Sequence, residues 1–244
     1  MTVQANASAL AVRSVEDRTA EATLRLAAVV AQGIPGRLEW HRPGPSAAFS
    51  RRDSLAPGFP TAVDTVRAHG FEPFIRPVGG QLAAYHRGAL VLDLLLPCAD
   101  PRAGTTARFR ALADVLTLGL RLLGVDARTG AVPGEYCPGQ WSVNARGTCK
   151  LVGTGQRLVR NAVLLTAVVV VGDADPLRAV MTHAYADLGV SMDPRTVGSV
   201  SDEVPGVTLS DVEGILGEAL AQSLPLEDPD LRNARLFTRR WDPR

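Results

Sequence analysis

Hydrophobic and polar positions along the chain switch repeatedly between helical and strand spacing. Over residues 15–32, Leu24, Leu26, Ala27, Val29 and Val30 crowd toward one side, which predicts a helix ending at Gly33 and Pro35. Short strands are predicted at 37–42 and 47–50, separated by the turn-forming Pro43-Gly44-Pro45. A short helix over 60–69 ends at Gly70, and an extended piece at 73–77 leads through Gly79-Gly80 into a strand at 81–86. Residues 90–96 are strongly apolar and read as a buried strand. The clearest helix spans 105–123, with Phe109, Leu112, Val115, Leu116 and Leu120 at helical spacing. Gly130, Pro133, Gly134 and Pro138 then mark a loop. Beyond it, 140–144 and 150–155 are predicted to pair across a turn at Arg146-Gly147, and 161–171 adds a further strand. Two helices follow, at 176–188 and 210–222, the second opening on Ser210-Asp211-Val212-Glu213 with capping-box spacing.

Strands in the middle with helices before, between and after them predict one mixed α/β globule without internal repeats. Residues 13–223 form the expected domain. Residues 1–12 and 224–244 lack convincing periodicity and are expected to be tails. Composition agrees with a folded globule, at 46% hydrophobic and 21% charged over 244 residues. A formal net charge of +1 argues against nucleic acid or an anionic membrane as the main partner. The longest apolar run, 162–171, is half the length needed to span a bilayer. The first ten residues lack a basic start and a long apolar core, so a cytoplasmic location is expected.

Three cysteines, Cys98, Cys137 and Cys149, are too few and too irregularly spaced for a zinc site or a disulfide framework. The cations are more informative, because Lys and Arg total 26 and only Lys150 is a lysine. Arginine replaces lysine readily on a solvated surface, but not where a compact three-donor ammonium is required. Coding bias toward arginine explains the other 25 positions and leaves Lys150 as either a chance survivor or a functional group.

Two segments carry candidate chemistry. In Arg76-Pro-Val-Gly79-Gly80-Gln81-Leu-Ala-Ala-Tyr85-His86, the Gly-Gly step is either a tight hairpin turn or a place where backbone N–H groups meet a ligand. Its spacing fits neither a Walker loop nor a dinucleotide fingerprint. The second segment, Gly134-Glu-Tyr-Cys137-Pro-Gly139, precedes Lys150-Leu-Val-Gly153-Thr-Gly155-Gln156. A cysteine in a Pro/Gly loop with an ammonium nearby is a candidate nucleophile, and a loop cysteine near a surface lysine is the plain alternative. Cys149 is expected to point into packing, and Cys98 reads as a small buried hydrophobe. Among the four histidines only His86 lies in a candidate site, and no serine-hydrolase or paired-carboxylate motif is present.

Taken together, Arg76–Gly80, Lys150–Gln156, Arg37-Leu-Glu-Trp-His-Arg42 and Ala47-Ala-Phe-Ser-Arg51 stand in an order that resembles the lipoate–protein ligase, octanoyltransferase and biotin–protein ligase superfamily. The likeness covers roughly residues 15–220. The resemblance implies an α+β fold, with a central mixed, largely antiparallel sheet flanked by helices. Tyr136-Cys137-Pro138-Gly139 is similar to the loop of the cysteine-dependent octanoyltransferases and amidotransferases. That likeness implies Cys137 as an acyl-carrying nucleophile and Lys150 as its cationic partner. It also implies substrate contacts from Arg76, Gly79, Gly80, Gln81, His86, Gly153 and Gln156. The implied recipient is a lipoyl-domain or glycine-cleavage H-type protein, with an acyl carrier protein as one donor and no cofactor required. An ATP- and magnesium-dependent ligase is the alternative, and an inactive acyl- or protein-binding module a third. Gln81 stands where the ligases carry a third glycine, and Gln140-Trp141 follows the Cys-Pro-Gly step where a more acidic sequence is expected.

Overall fold

A computed structural model describes residues 24–31, 36–223 and 238–240. Helix α1 comprises residues 24–31 of the predicted 15–32, the remainder lying outside the described residues. Strands β1 (Arg37–His41) and β2 (Ser46–Phe49) precede α2 (Phe59–Ala68), β3 (Glu72–Ile75), β4 (Ala83–Tyr85) and β5 (Ala89–Pro97). Next come α3 (Thr105–Leu122), β6 (Ala127–Thr129), β7 (Val143–Ala145), β8 (Cys149–Val159) and β9 (Ala162–Val170). Helices α4 (Ala174–Asp187), α5 (Val200–Glu203) and α6 (Leu209–Ser223) follow, and β10 (Thr238–Arg240) comes last.

The strands divide into two sheets. The larger has seven, in the order β10-β1-β5-β9-β8-β7-β6, and the smaller has three, β3-β2-β4. Among the described residues only the β1–β10 pair of the larger sheet and the β2–β3 pair of the smaller are parallel strand pairs, so the mixed, largely antiparallel expectation holds. The predicted buried strand becomes β5, whose register with β9 runs from Ala89↔Val170 to Pro97↔Ala162. Apolar side chains dominate both of its faces, as a strand covered on both sides requires.

One core joins the larger sheet to α3 and α6, through Leu112, Leu116, Leu120, Leu151, Val163 and Leu216. Leu92 and Leu94 belong to it, as do Cys98 and Cys149, so both cysteines pack as expected. A second core packs α2 and α4 on the smaller sheet, through Phe49, Val63, Val66, Leu82, Leu177 and Met181. Among the described residues no helix is long and apolar enough to cross a membrane.

Four elements depart from the sequence pattern. The strand β6 was not expected, because Ala-Arg-Thr is too short to alternate. The reciprocal cap of α6 is built by Thr208 and Asp211, with Thr208 N–H donating to Asp211 at 2.9 Å and Asp211 N–H to Thr208 Oγ1 at 3.2 Å. Glu213, the expected capping partner, accepts from Arg42 at 3.2 Å instead. A full capping box stands at Ser199 and Asp202, opening the unpredicted α5. Of the expected tails, 1–12 lies outside the described residues. Within 224–244 only Thr238–Arg240 is described, as an edge strand too short to leave a periodic signal.

Candidate active site

The two chemistry-bearing segments meet at Cys137. Arg76 follows β3 directly, and the loop 76–82 brings Gly80 and Gln81 against the cysteine, which lies between β6 and β7. Cys137 Sγ accepts from the Gln81 N–H at 3.2 Å and from Arg76 Nη2 at 3.3 Å. Arg76 Nη2 also donates to the Gln81 carbonyl at 2.6 Å, which locks guanidinium, loop and sulfur into one unit. Burial pushes the Cys137 thiol up. The Arg76 guanidinium, the Lys150 ammonium and the Gln81 N–H outweigh it and hold the thiol below its ordinary value.

Gly80 makes this approach possible. Its φ is +105°, and a Cβ there would stand 2.5 Å from Arg76 Nη2 and 2.7 Å from Cys137 Sγ. Gly80→Ala must therefore displace the sulfur or its guanidinium. We expect the nucleophilic reactivity of Cys137 to fall about 100-fold, the order of loss that follows a displacement near 1 Å at a reacting centre. Single-turnover kinetics measure it, with circular dichroism showing the fold intact.

The cysteine itself is strained, with φ +41° in the left-handed region that non-glycine residues rarely occupy. Two anchors hold it there. Its N–H donates to Tyr185 Oη at 2.7 Å, and that hydroxyl donates onward to the Leu82 carbonyl at 2.7 Å. Burial pushes the Tyr185 phenol up, so the hydroxyl keeps the proton it donates. The Cys137 carbonyl accepts from Lys150 Nζ at 2.7 Å.

Lys150 is 2% exposed and stands on β8 beneath the loop. Its ammonium also donates to the Tyr136 carbonyl at 3.1 Å and to Glu135 Oε1 at 3.3 Å, so its three hydrogens have three acceptors. Burial pulls the amine down, against Glu135 and Cys137, which hold it up. The nearest cation to the sulfur is thus Arg76, while Lys150 clamps the backbone that carries the sulfur. Glu135, 3% exposed, completes the clamp by accepting from Ser142 Oγ at 2.8 Å and from the N–H groups of Val132 and Gly139, each at 3.0 Å.

The remaining expected site residues divide. Gly79, Gly80, Gly153 and Gln156 line an inner chamber of about 310 Å³ together with Cys137 and Lys150. Gln156 also accepts from the buried Arg108 at 2.8 Å and donates to the Thr105 carbonyl at 3.2 Å, tying β8 to the start of α3. His86 is not brought to the sulfur. Its Nδ1 accepts from the Gly88 N–H at 2.9 Å, so its Nε2 donates to the Asp173 carbonyl at 2.7 Å, and both ring nitrogens serve the backbone. His69, which caps α2, and His183 on α4, 114 residues apart, meet at 2.9 Å, and neither lines a cavity that opens on Cys137.

Glu135 and Tyr185 were missed by sequence reasoning. Glu135 sits two residues before the cysteine, where its burial leaves no pattern, and Tyr185 is one helical position among many. A second, outer cleft of about 810 Å³ also opens on Cys137, lined by Arg51, Arg52, Arg76 and Arg157.

Residues 59–221 match the Lipoyl protein ligase A/B catalytic domain. The chain belongs to this family. An octanoyl-[GcvH]:protein N-octanoyltransferase of Exiguobacterium sibiricum is 28% identical over 180 residues, which cover 72% of this chain and 62% of that protein. The enzyme of the same name from Geobacillus kaustophilus is 25% identical over 176 residues, 72% of this chain and 60% of its own length. The chain therefore spans about three fifths of these relatives. A lipoate-protein ligase A solved with bound ATP superposes with a TM-score of 0.63 at 20% identity, over 84% of this chain and 75% of that one. The bipartite lipoate protein ligase of Thermoplasma acidophilum gives 0.61 at 18% identity, over 91% and 82%. These two likenesses establish the lipoyl-ligase fold.

Proposed function

We propose that this member of the lipoyl protein ligase A/B family is an acyltransferase. It moves an octanoyl or lipoyl group through a thioester on Cys137 to a lysine of a lipoyl-domain or glycine-cleavage H-type protein. The observation that carries this reading is the cysteine sulfur, held between a guanidinium and a backbone N–H where two cavities meet. The names of the curated relatives support the acyl group and the kind of partner.

In the first half-reaction the Cys137 thiolate attacks the acyl carbonyl of the donor, the bond from the acyl carbon to the leaving group breaks, and the leaving group takes a proton from water. The acyl chain occupies the inner chamber, whose lining includes Ala83, Phe109, Thr166 and Val168. Arg76 and the Gln81 N–H, which stabilise the thiolate, remain beside the reacting carbon as its carbonyl oxygen gains charge. In the second half-reaction the recipient's neutral amine attacks the thioester, the carbon–sulfur bond breaks to regenerate the thiolate, and the proton lost by the amine passes to water. The chain offers no competing surface lysine, because its single lysine is buried and committed to the loop. Arginine guanidiniums stay protonated and do not compete as nucleophiles.

With the thiol held below its ordinary value, a larger share of Cys137 is thiolate at a given pH than of a free cysteine. Its alkylation by iodoacetamide is expected to rise with pH through a midpoint below that of a free cysteine measured alongside it. Arg76→Met moves that midpoint upward. A midpoint that stays put would remove Arg76 from the thiolate's support.

The functional reading is tested by offering octanoylated carrier protein and octanoylated H-type protein in turn to the chain, with an unmodified lipoyl domain as recipient. Transfer in EDTA without nucleotide is expected from at least one donor. Modification of the domain only with octanoate, ATP and magnesium would replace the transferase with a ligase.

A further inference from the structure

Acyl transfer at Cys137 makes no use of the two histidines that meet across α2 and α4, and both are exposed. His69 caps the end of α2, and His183 lies in the second half of α4. One turn away on both helices, Thr65 Oγ1 donates to Asp187 Oδ2 at 2.5 Å. The pairs Thr65–Asp187 and His69–His183 run in opposite chain directions, so the helices are antiparallel. Both helices pack into the core of the smaller sheet, through Ala62, Val66, Val180 and Ala184 among others. Packing thus sets the distance between the two backbones that carry the imidazoles.

His69 Nε2 and His183 Nδ1 are 2.9 Å apart, with ring centroids at 5.1 Å and planes inclined by 38°. Two imidazoles on one tetrahedral ion, with metal–nitrogen bonds of about 2.0–2.1 Å, place their nitrogens about 3.3 Å and their centroids about 5.2 Å apart. The centroids therefore already stand at the chelating distance. The nitrogens have to open by about 0.4 Å, which small χ rotations of two exposed rings supply. In the present pair one facing nitrogen carries the shared hydrogen. The tautomer with that hydrogen on the ring's other nitrogen frees both facing lone pairs without a change of charge. The Asp187 carboxylate, four residues beyond His183, adds a negative charge that favours a dication. Arg67, two residues before His69, is paired with Asp64 at 3.7 Å. Among the described residues no third histidine, cysteine or carboxylate completes the shell, so water fills its remaining positions.

We propose that His69 and His183 form a surface site for a divalent transition-metal ion of the zinc class, which staples α2 to α4. Imidazole nitrogens select such an ion over magnesium or calcium, which prefer oxygen. The ion takes no part in acyl transfer, so the site stands independently of the acyl-enzyme reading. It ties α2 to the helix whose Tyr185 holds the Cys137 N–H.

The test uses the full chain carrying Cys137→Ala, which removes the half-buried thiol as a rival ligand. Calorimetric titration with zinc is expected to show one ion per chain. At free zinc about 100 times the measured dissociation constant, Tm is expected to rise by about 5–10 °C, as linkage in a chain of this size requires. EDTA reverses the rise, and magnesium at the same concentration does not produce it. His69→Gln and His183→Gln each abolish both the binding heat and the rise. Glutamine at either exposed position leaves the metal-free Tm close to that of the parent, so loss of the site is read apart from loss of the fold. No rise with zinc, an equal rise with magnesium, or a rise and binding heat that persist in either glutamine variant would each overturn the proposal.

Discussion

Cys137→Ala is expected to abolish acyl transfer, lowering kcat by at least about 1,000-fold, the scale of losing a covalent nucleophile. The fold should survive, because the side chain is small and only half-buried and its loop anchors are backbone groups. The Cys137 N–H still reaches Tyr185 and its carbonyl still reaches Lys150. Cys137→Ser is the sharper comparison. It keeps the size and both anchors but places a hydroxyl where the Arg76 guanidinium and Gln81 N–H are set to stabilise a thiolate. An alcohol stays protonated at neutral pH, so this variant is expected to lose nearly as much as the alanine. Transfer of octanoyl to a lipoyl domain, followed over time by mass, measures both, and unchanged turnover in either would remove covalent catalysis from the account.

Lys150→Ala should affect stability as much as activity. The ammonium is the only cation within 4.0 Å of the buried Glu135 carboxylate among the described residues, and it also satisfies the carbonyls of Tyr136 and Cys137. Removing it leaves a buried charge unpaired, which costs about 3–5 kcal/mol. Urea unfolding measures the loss as a lower midpoint. Lys150→Arg is expected to restore little, because a planar five-donor guanidinium does not fit where one compact ammonium meets three acceptors. Adding Glu135→Gln to Lys150→Ala should recover part of the stability by discharging the carboxylate. Reactivity should not return, since the Cys137 carbonyl remains unheld. The non-additivity of the pair gives their coupling directly.

The fold was legible where periodicity was long. Residues 90–96 and 105–123 announced β5 and α3 because a nine-residue buried strand and an eighteen-residue amphipathic helix leave repeated signals. The three-residue strands β6 and β10 leave none, and their existence depends on neighbours supplied from elsewhere in the chain. At the site, Cys137, Lys150, Arg76 and Gly80 were legible as residues, but their contacts were not. Proximity of Arg76 to a sulfur 61 residues away depends on the packing of loop 76–82 against the loop before β7. The same packing divides between the two cations the support for the thiolate that was expected of Lys150 alone. Arg76 meets the sulfur, and Lys150 holds the backbone. His86 shows the opposite outcome, since its place beside the Gly-Gly segment suggested chemistry and its two backbone bonds assign it to the turn before β5. The arginine-lined cleft could not be seen in the sequence at all. Arg51 and Arg52 are adjacent, but their convergence with Arg76 and Arg157 exists only in three dimensions.

The acyl-enzyme is the central claim, and intact-mass analysis tests it most directly. The chain is incubated with octanoylated carrier protein or an octanoyl thioester, quenched in acid, and weighed before and after hydroxylamine. The account predicts one added octanoyl group, mapped to the peptide bearing Cys137, released by hydroxylamine and absent from Cys137→Ala. An adduct that persists in Cys137→Ala, or transfer to a lipoyl domain with no acylated chain at any time, would contradict it.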